Sequence, residues 1–476
     1  MIFNLKSDLM INYSATYTDK YQLSMAQVYF LKGQRDTKAI FDYFFRKLPF
    51  NGGYAIFAGL DDLLKTLEIF KFDKLDLEFL KGAGYHPDFL SFLKDFRFNG
   101  NIYSSHEGDL IFPVRPVLQV EANIIEAQII ETLLLNMLNF QTLVATKASR
   151  MRRAAGERNL TDFGLRRAQG PGGYYASRAA FIGGFNSTSD VRAGRDYNIP
   201  ISGTMAHSFV QSYDDELSAF NHFAEVNPNE CVLVLDTYET LKSGLPNAIT
   251  VAKKMEEQGF RLQGVRLDSG DLAYLAKECR KRLDKENLGY VKIAVSNQLD
   301  EYIIKSLLDQ QAPIDAFGVG TSLVTGHPDG ALDGVYKLAF ANGKPRIKLS
   351  ENISKITLPH QKQVYRISEN DGRFIGADAV TIAGESDPGV MYHPLYPLKS
   401  LSLTRFAKEP LLFKVMENGR RVNQPESLNE IARFTNQQLE KLPDEYKRFD
   451  NPHIYKVGIS SKLQSERDML INEYKK

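Results

Sequence analysis

The residues best suited to chemistry follow short apolar runs in the middle of the chain. His207 and Thr204 lie in GTMAHSF, and Arg266 and Asp268 lie in GVRLDSGD. If these runs are parallel strands, their carboxyl ends meet at one edge of a sheet, where the ligands of α/β folds bind. The sequence therefore predicts one polar site at that edge. Further residues at the ends of such runs are Asp236, Ser269, Asp271, Ser296, Asn297, Gly318, Gly320 and Thr321.

The alternation of side chains along a strand places Arg266 and Asp268 on the same face. There they line a polar mouth or form a buried ion pair, although Asp268, like Asp236, can also simply cap the following helix. His207 can act as a nucleophile, a base or a phosphoryl acceptor near neutral pH. A single histidine after a strand is more often structural, but its place at the same predicted edge favours the functional interpretation.

Two features of the sequence suit the binding of phosphate. Residues 318–322 (GVGTS) follow an apolar run, and their backbone N–H groups and two hydroxyls suit a phosphate. Between residues 147 and 178, eight Lys and Arg face only two acidic residues, which suits a polyanionic small ligand or a solvated helix face. Few aromatic residues interleave this run, which argues against an RNA site. The sequence contains no G-x-x-x-x-G-K-[ST] loop and no H-E-x-x-H pair.

The elements that must position these residues are strands of a parallel sheet. From about residue 178, β-branched runs alternate with Gly-rich turns and helical spacing. About seven such units favour an irregular TIM-like α/β barrel, and an open doubly wound sheet is the alternative. The predicted strands are Phe181–Phe185, Ile199–Met205, Val232–Asp236, Gly264–Asp268, Val291–Ser296, Ala316–Gly320 and Val335–Phe340.

The patterns on either side of these runs differ from them and define the domains. The sequence predicts an N-terminal α+β domain over residues 1–145, the α/β barrel over 146–345, and a C-terminal segment over 346–476 that packs with the N-terminal domain. The elements predicted outside the barrel are a strand at 39–48, helices at 54–69 and 121–150, and charged surface helices at 426–449 and 462–474.

Composition excludes several classes of protein. The 476 residues include 59 Lys and Arg against 58 Asp and Glu, so the net charge of +1 argues against a nucleic-acid or membrane-surface binder. No apolar run approaches the ~20 residues that span a bilayer, and the first residues lack the pattern of a signal peptide. The two cysteines form no C-x-x-C pair, which excludes a disulfide scaffold and favours a reducing, cytoplasmic compartment.

Taken together, ten fragments resemble those of the nicotinate phosphoribosyltransferase family. The resemblance is close over about residues 15–345 and looser beyond. It implies a type II phosphoribosyltransferase fold, in which an irregular α/β barrel is flanked by an α+β domain built from both ends of the chain. In chain order the fragments are TDKYQLSMA, FDYFFRKLPFNGGYAIFAGL, ATKASRM, DFGLRRAQG, GGFNSTSDV, GTMAHSF, GVRLDSGDL, VSNQLDE, GVGTSLVT and GVYKLA.

The resemblance also implies a reaction. Nicotinate and phosphoribosyl pyrophosphate would give nicotinate mononucleotide and pyrophosphate, a step of NAD salvage. ATP would be hydrolysed to ADP and phosphate through a phosphohistidine, which gives the enzyme a ligase-type classification. Mg²⁺ would be held mainly through substrate phosphates, which fits the absence of a metal-ligand motif.

The family's functional residues match individual positions of this sequence. The resemblance implies that His207 is the phosphohistidine and that Asp268 lies near the ribose hydroxyls and magnesium, where a carboxylate stabilises an oxocarbenium-like state. The residues implied at the nicotinate site are Tyr21, Phe163, Arg166, Thr204 and Arg266, with the two aromatic rings on opposite faces of the pyridine. Those implied at the phosphoribosyl pyrophosphate site are Lys147, Arg150, Ser296, Gly320 and Thr321.

The family further implies a homodimer, in which Tyr21 enters the site of the neighbouring subunit. Three alternatives remain open. Nicotinamide phosphoribosyltransferases share the fold and the chemistry, and would turn over the amide. A Schiff-base aldolase-like barrel would use Lys337 of GVYKLA, and a non-catalytic barrel would bind phosphorylated sugars without releasing pyrophosphate.

Overall fold

The computed structural model describes residues 13–352, 355–385, 387–396 and 398–475. The chain divides into two compact units. Met1–Thr146 and Ala331–Lys476 form the first, called here the composite unit, and Lys147–Gly330 forms the second, called here the barrel unit. In the part of the chain that the structure describes, no helix is long and apolar enough to cross a membrane.

The N-terminal segment of the composite unit combines helices with antiparallel strands. The predicted strand at 39–48 is present as β1, which pairs with β5, and its Tyr43 and Phe45 are fully buried. The helix predicted at 121–150 is present as α5 and α6, preceded by a strand. The elements are α1 (Lys20–Leu31), β1 (Lys38–Phe45), β2 (Ala55–Ile56), α2 (Leu60–Ile69), α3 (Lys74–Gly82), α4 (Pro87–Lys94), β3 (Asn101–Ser104), β4 (Leu110–Ile111), β5 (Leu118–Asn123), α5 (Ile124–Ile129) and α6 (Glu131–Ala155).

The barrel unit alternates strands with helices around a parallel sheet of order β7-β6-β11-β10-β9-β8. The mixed α/β class is confirmed, and the barrel is a partial one. The elements are β6 (Asn159–Asp162), α7 (Gly172–Ile182), β7 (Ser187–Thr188), α8 (Val191–Tyr197), α9 (His207–Gln211), α10 (Glu216–Val226), β8 (Val232–Val234), α11 (Leu245–Glu257), β9 (Gly264–Leu267), α12 (Leu272–Lys285), β10 (Lys292–Ser296), α13 (Glu301–Asp309), β11 (Ala316–Val319) and α14 (Thr321–Val324).

Two of the predicted barrel strands are wrong. Phe181–Phe185 is the end of α7 and the turn that follows it. That helix is buried on nearly all sides, so its apolar run lacks the periodicity that distinguishes a helix from a buried strand. Ile199–Met205 is irregular, with a single bridge between Ile201 and Thr188, because Pro200 and Gly203 interrupt it.

A third predicted barrel strand, Val335–Phe340, belongs to the composite unit. It is part of β12, which pairs antiparallel with β1. A β-branched run shows a strand but not its partner, so only the structure could assign it. The C-terminal elements are β12 (Gly334–Ala341), β13 (Lys344–Pro345), β14 (Lys362–Ser368), β15 (Phe374–Ile382), β16 (Val390–Tyr392), β17 (Ser400–Ser402), β18 (Ala407–Pro410), β19 (Phe413–Glu417), β20 (Arg420–Arg421), α15 (Leu428–Lys441), β21 (Lys456–Ser460) and α16 (Ser461–Tyr474).

Strands from both ends of the chain share one sheet of the composite unit, in the order β13-β12-β1-β5-β3-β19-β20. Buried charges add to this connection. Arg366 lies 2.8 Å from the Asp109 carboxylate and 3.1 Å from that of Asp378, which is also 2.7 Å from the Arg115 guanidinium. All four side chains are almost fully buried. Each charge is therefore compensated by a residue from the other end of the chain.

A second buried ion pair joins the N-terminal and C-terminal segments of the composite unit. Its loss on substitution should therefore destabilise the protein. The ammonium of Lys362 lies 2.8 Å from the Asp42 carboxylate, which also accepts the Gln119 amide at 2.6 Å. Burial raises the pKa of Asp42, and Lys362 opposes this shift. Lys362→Met leaves the carboxylate buried without its cation, so we expect the free energy of unfolding to fall by about 3–5 kcal/mol.

Urea unfolding followed by far-UV circular dichroism measures this loss. Lys344→Met, at an exposed position of β13, is the matched control and should leave the transition in place. The double variant Asp42→Leu with Lys362→Met removes both charges and should be more stable than Lys362→Met alone. Equal midpoints for Lys362→Met and the wild type would contradict the assignment of a stabilising pair.

Candidate active site

The carboxylate of Asp236 joins the ends of two neighbouring strands of the barrel unit. Asp236 follows β8, and its side chain is only 3% exposed. It accepts the backbone N–H of Asp268 at 2.9 Å and the hydroxyl of Ser269 at 2.5 Å, both of which follow β9. The carboxyl ends of β8 and β9 are thereby held in one arrangement. Neither Asp236 nor Asp268 caps a helix. Asp271 caps α12 by accepting the Tyr274 N–H at 3.0 Å, and Glu239 is the N-cap residue of the helical turn Thr240–Gly244 that follows Asp236.

His207, the first residue of α9, lies against this pair of strand ends. Its Nδ1 is 3.1 Å from the Thr237 hydroxyl. Its Nε2 is 3.6 Å from a carboxylate oxygen of Asp268 and 4.0 Å from one of Asp236. The side chain remains 37% exposed. The imidazole is thus accessible from solvent, oriented by a hydroxyl, and close to two carboxylates.

Arg266 and Asp268 lie on one face of β9, as the alternation predicts, and they form an ion pair. One guanidinium nitrogen of Arg266 lies 3.4 Å from the Asp268 carboxylate, and the other donates to the Thr204 hydroxyl at 2.6 Å. The hydroxyl of Ser296, at the end of β10, donates to the other oxygen of Asp268. Among the described residues, the buried Nε of Arg266 and one oxygen of Asp236 have no hydrogen-bond partner. The cluster therefore retains one free donor and one free acceptor.

Phe163 follows β6 at the same edge of the sheet and is half-buried. The guanidinium carbon of Arg266 lies 6.0 Å from the centre of its ring. Asp162, just before it, is buried and accepts the Gly164 N–H at 2.7 Å and the Ser177 hydroxyl at 2.7 Å. Burial raises the pKa of Asp162, and these hydrogen bonds oppose the shift. The turn that carries Phe163 is thus held by a buried carboxylate.

Gly320 and Thr321 lie where β11 passes into the short helix α14. Thr321 is exposed, and the Cγ of Arg167 lies 3.9 Å from the point where a Cβ on Gly320 would stand. At the end of the neighbouring β10, Asn297 has a φ of 85°, a strained conformation of the kind found at functional sites. Arg166 is exposed in the turn after Phe163. This part of the edge offers cations and exposed backbone.

Lys147 and Arg150 lie at a different place, in a buried cluster with Glu301. The Lys147 ammonium and the Arg150 guanidinium are 2.5 Å and 2.8 Å from the two oxygens of this carboxylate. Burial lowers the pKa of Lys147, and Glu301 opposes the shift. The structure therefore shows both cations paired with an acid at the start of α13, and their contact with a substrate phosphate stays a prediction.

Tyr21 lies in the composite unit, on α1, and is 50% exposed. The Gln22 amide donates to its hydroxyl at 3.0 Å. Partial burial, followed by the negative charges of Glu131 and Asp19, raises the pKa of Tyr21 to about 12. The phenol is therefore neutral at physiological pH and presents an exposed ring, as a stacking residue requires.

Sequence reasoning missed three residues of this site. Thr237, which contacts His207, directly follows the predicted strand end at Asp236, so its place at the site could have been inferred from the sequence. Arg167 belongs to the basic run but carries no spacing that points to Gly320. Asp162 is the last residue of β6, a four-residue strand (NLTD) whose polar residues hide it from a hydrophobic pattern.

Lys337 does not lie in the parallel sheet, which removes the basis of the aldolase alternative. It is on β12 in the composite unit, and its ammonium donates to the Tyr336 carbonyl at 2.9 Å. The described residues contain no group of three or more His, Cys, Asp or Glu that could hold a metal ion. Cys231 and Cys279 are both buried, and burial raises the pKa of each to about 12, so neither is a reactive thiolate.

Comparisons with known proteins give one family over nearly the whole chain. Models of the nicotinate phosphoribosyltransferase N-terminal domain, family and C-terminal domain match residues 16–139, 158–381 and 361–467. The chain is 43% identical to nicotinate phosphoribosyltransferase of Bacillus subtilis, over 96% of this chain and 95% of that protein. The crystal structure of human nicotinic acid phosphoribosyltransferase matches with a TM-score of 0.85 and 32% identity, covering 95% of this chain and 99% of the human one. Nicotinate-nucleotide pyrophosphorylase of Pyrococcus furiosus matches with a TM-score of 0.71 and 27% identity, over 90% and 95% of the two chains.

Proposed function

The chain belongs to the nicotinate phosphoribosyltransferase family, and we propose that it joins nicotinate to phosphoribosyl pyrophosphate with release of pyrophosphate. The observation that carries the proposal is the cluster of His207, Arg266 and Asp268 at the carboxyl edge of the parallel sheet. In this reaction the pyridine nitrogen forms a bond to the anomeric carbon of ribose as the bond to pyrophosphate breaks. Positive charge develops on the ribose and negative charge on the leaving group.

Asp268 is the group proposed to stabilise the ribose. Its carboxylate is 28% exposed, so it reaches solvent and a bound sugar, while Arg266 and Ser296 hold it in one orientation. A preorganised negative charge lowers the energy of an oxocarbenium-like state without reorganising during the reaction. The carboxylate also suits hydrogen bonds from the ribose hydroxyls.

The nicotinate site is proposed around Arg266. The unpartnered Nε of this guanidinium is a buried donor that a substrate carboxylate would satisfy, and Thr204 fixes the orientation of the guanidinium. Phe163 supplies one aromatic face for the pyridine ring. Tyr21, exposed and neutral, supplies the other from the composite unit of a partner subunit, with Arg166 nearby.

The phosphates of phosphoribosyl pyrophosphate are proposed to bind at Ser296, Gly320 and Thr321, with Lys147 and Arg150 contributing positive charge. Magnesium prefers few protein ligands when phosphates coordinate it, and the described residues offer no cage. The free oxygen of Asp236 and the carboxylate of Asp268 are the groups that would hold the ion. When bound, it would neutralise charge on the leaving pyrophosphate.

ATP coupling is proposed to run through His207. A ring nitrogen attacks the γ-phosphorus of ATP, the bond to ADP breaks, and water later cleaves the phosphohistidine to phosphate. Three features support this step: the accessible imidazole, the Thr237 hydroxyl at Nδ1, and the two carboxylates near Nε2 that stabilise positive charge on the attacking ring.

The purified protein is expected to release pyrophosphate with nicotinate and to prefer nicotinate strongly over nicotinamide. Arg266→Ala should cost about 2–4 kcal/mol of transition-state binding for nicotinate, because a desolvated ion pair is lost. Coupled pyrophosphate assays with both pyridines, with and without ATP, measure this. Arg433→Ala, at an exposed position of α15, is the control. Equal turnover of the amide would favour the nicotinamide-specific alternative, and ligand binding without pyrophosphate release would favour the non-catalytic one.

Incubation with γ-labelled ATP is expected to label the protein at His207. The label should be acid-labile and base-stable, as a phosphoramidate is. His207→Asn should abolish both the label and the stimulation by ATP, while slow ATP-independent transfer remains. His222→Asn, on the exposed side of α10, is the matched control and should label normally. Full labelling of His207→Asn would assign the phosphoryl group to another residue.

Mixing experiments test whether two chains share each site in the proposed homodimer. Tyr21→Ala and Asp268→Ala should each be nearly inactive alone. In a hybrid dimer the barrel of the Tyr21→Ala chain keeps Asp268 and receives Tyr21 from its partner, so about a quarter of all sites should recover after full exchange. Asp268→Ala mixed with His207→Ala should gain no activity beyond that of the two variants assayed separately, because both changes lie in the barrel unit. Recovery in neither mixture, with exchange shown independently, would place Tyr21 in the site of its own chain.

A further inference from the structure

The ring of Phe163 lies directly on Gly318, and we propose that Gly318 is the positioning residue that sets the height of this aromatic platform. The inference rests on the proposed function, since it concerns how the pyridine ring is seated. Gly318 lies on β11, next to β6, from which the turn carrying Phe163 leaves. It contacts no reacting atom in this scheme and acts only through Phe163.

The space above Gly318 is filled by the ring. A Cβ added to Gly318 would stand 2.3 Å from Cε2 and 2.4 Å from Cδ2 of Phe163. Ordinary contacts of a Cβ begin near 3.4 Å, so the ring would have to rise by about 1 Å. The backbone of Gly318 does not have a positive φ, so its conformation is open to any residue. The requirement for glycine is therefore one of space and not of backbone conformation.

Hydrogen bonds and packing hold the backbone that carries Phe163 against such a contact. The N–H of Phe163 donates to the Val319 carbonyl at 2.7 Å, and that of Gly164 donates to the buried Asp162 carboxylate at 2.7 Å. A Cβ on Gly164 would stand 2.0 Å from Cγ1 of Val324, so the turn is also packed from the far side. A larger residue at position 318 would therefore displace the ring and leave the turn in place.

The distance of the Phe163 ring from β11 matters because a bound nicotinate must contact both Phe163 and Arg266. Its ring stacks on Phe163 while its carboxylate pairs with Arg266, whose guanidinium carbon is 6.0 Å from the centre of the Phe163 ring. Arg266 is held by Thr204 and Asp268 and cannot follow the ring. Raising the platform thus separates the best stacking position from the best ion-pairing position, and binding of the pyridine weakens.

Steady-state kinetics of Gly318→Ala test the consequence. The KM for nicotinate should rise by about tenfold, the size expected when one aromatic contact is lost, while the KM for phosphoribosyl pyrophosphate changes little. Phe163→Leu removes the ring that meets the new methyl group. The double variant should therefore lose less than the product of the two single losses. Gly330→Ala is the matched control, because a Cβ there meets nothing within 4 Å.

A fluorescence experiment tests, independently of activity, whether the ring at position 163 rests on Gly318. The chain contains no tryptophan, so Phe163→Trp introduces a single reporter at the platform. Acrylamide reaches this indole from its exposed face only while the other face lies on Gly318. Adding Gly318→Ala should increase the quenching constant by about twofold as the ring lifts from the strand. Adding Gly330→Ala should leave it unchanged.

The two readouts separate the inference from the proposed function. If the wild type does not turn over nicotinate but Gly318→Ala increases quenching, the proposed function is wrong, while Gly318 still positions the ring at residue 163. If nicotinate is turned over but Gly318→Ala changes neither quenching nor the KM for nicotinate, Gly318 is not a positioning residue. An equal rise of the KM values for both substrates would also overturn the inference, because it would show general damage to the edge of the sheet.

Discussion

The carboxylate of Asp236 is the constraint on which the arrangement of the candidate site depends. A buried carboxylate is costly unless donors reach it, and here the backbone N–H of Asp268 and the hydroxyl of Ser269, which follow the next strand, both donate to one oxygen of Asp236. The other oxygen has no hydrogen-bond partner among the described residues. These two hydrogen bonds hold the loops after β8 and β9 in one geometry. The same geometry brings Asp268 to within 3.6 Å of His207, so a local requirement for hydrogen bonds also fixes the distance between the two proposed functional groups.

Other buried carboxylates of the protein also hold neighbouring segments in place. Asp162 has a similar part at the end of β6, since it is buried and its oxygens accept from Gly164 in the following turn and from Ser177 on α7. In the composite unit, the buried Asp378 is compensated by Arg115 from the N-terminal segment and by Arg366 from the C-terminal one. Each buried acid selects one arrangement of its neighbours, because any other would leave a charge without a partner.

The barrel strands β8 to β11 and the polar residues at their ends could be predicted because they depend on local sequence patterns. The runs at 232–236, 264–268, 291–296 and 316–320 formed β8 to β11, and the polar residues at their ends met as parallel strands require. Pairing of Arg266 with Asp268 followed from the alternation of one strand. The strand order, however, depends on contacts between distant segments, and β12 was assigned to the wrong unit for that reason. Glu301 shows the same limit: nothing near Lys147 in sequence indicates that an acid more than 150 positions later would pair with it.

The charges at the edge explain why phosphorylation and substrate binding would be linked in the proposed mechanism. Asp236 and Asp268 carry two negative charges beside His207, and Arg266 supplies one positive charge within contact distance of Asp268. A phosphoryl group on His207 would add a further charge of about −2 at the same place. That state is electrostatically unfavourable until cations compensate it, and magnesium with phosphoribosyl pyrophosphate is the natural source in this scheme. The phosphohistidine would then favour the binding of a magnesium-bearing substrate, and its hydrolysis would favour release of the product, because the additional negative charge that attracts the ion is lost.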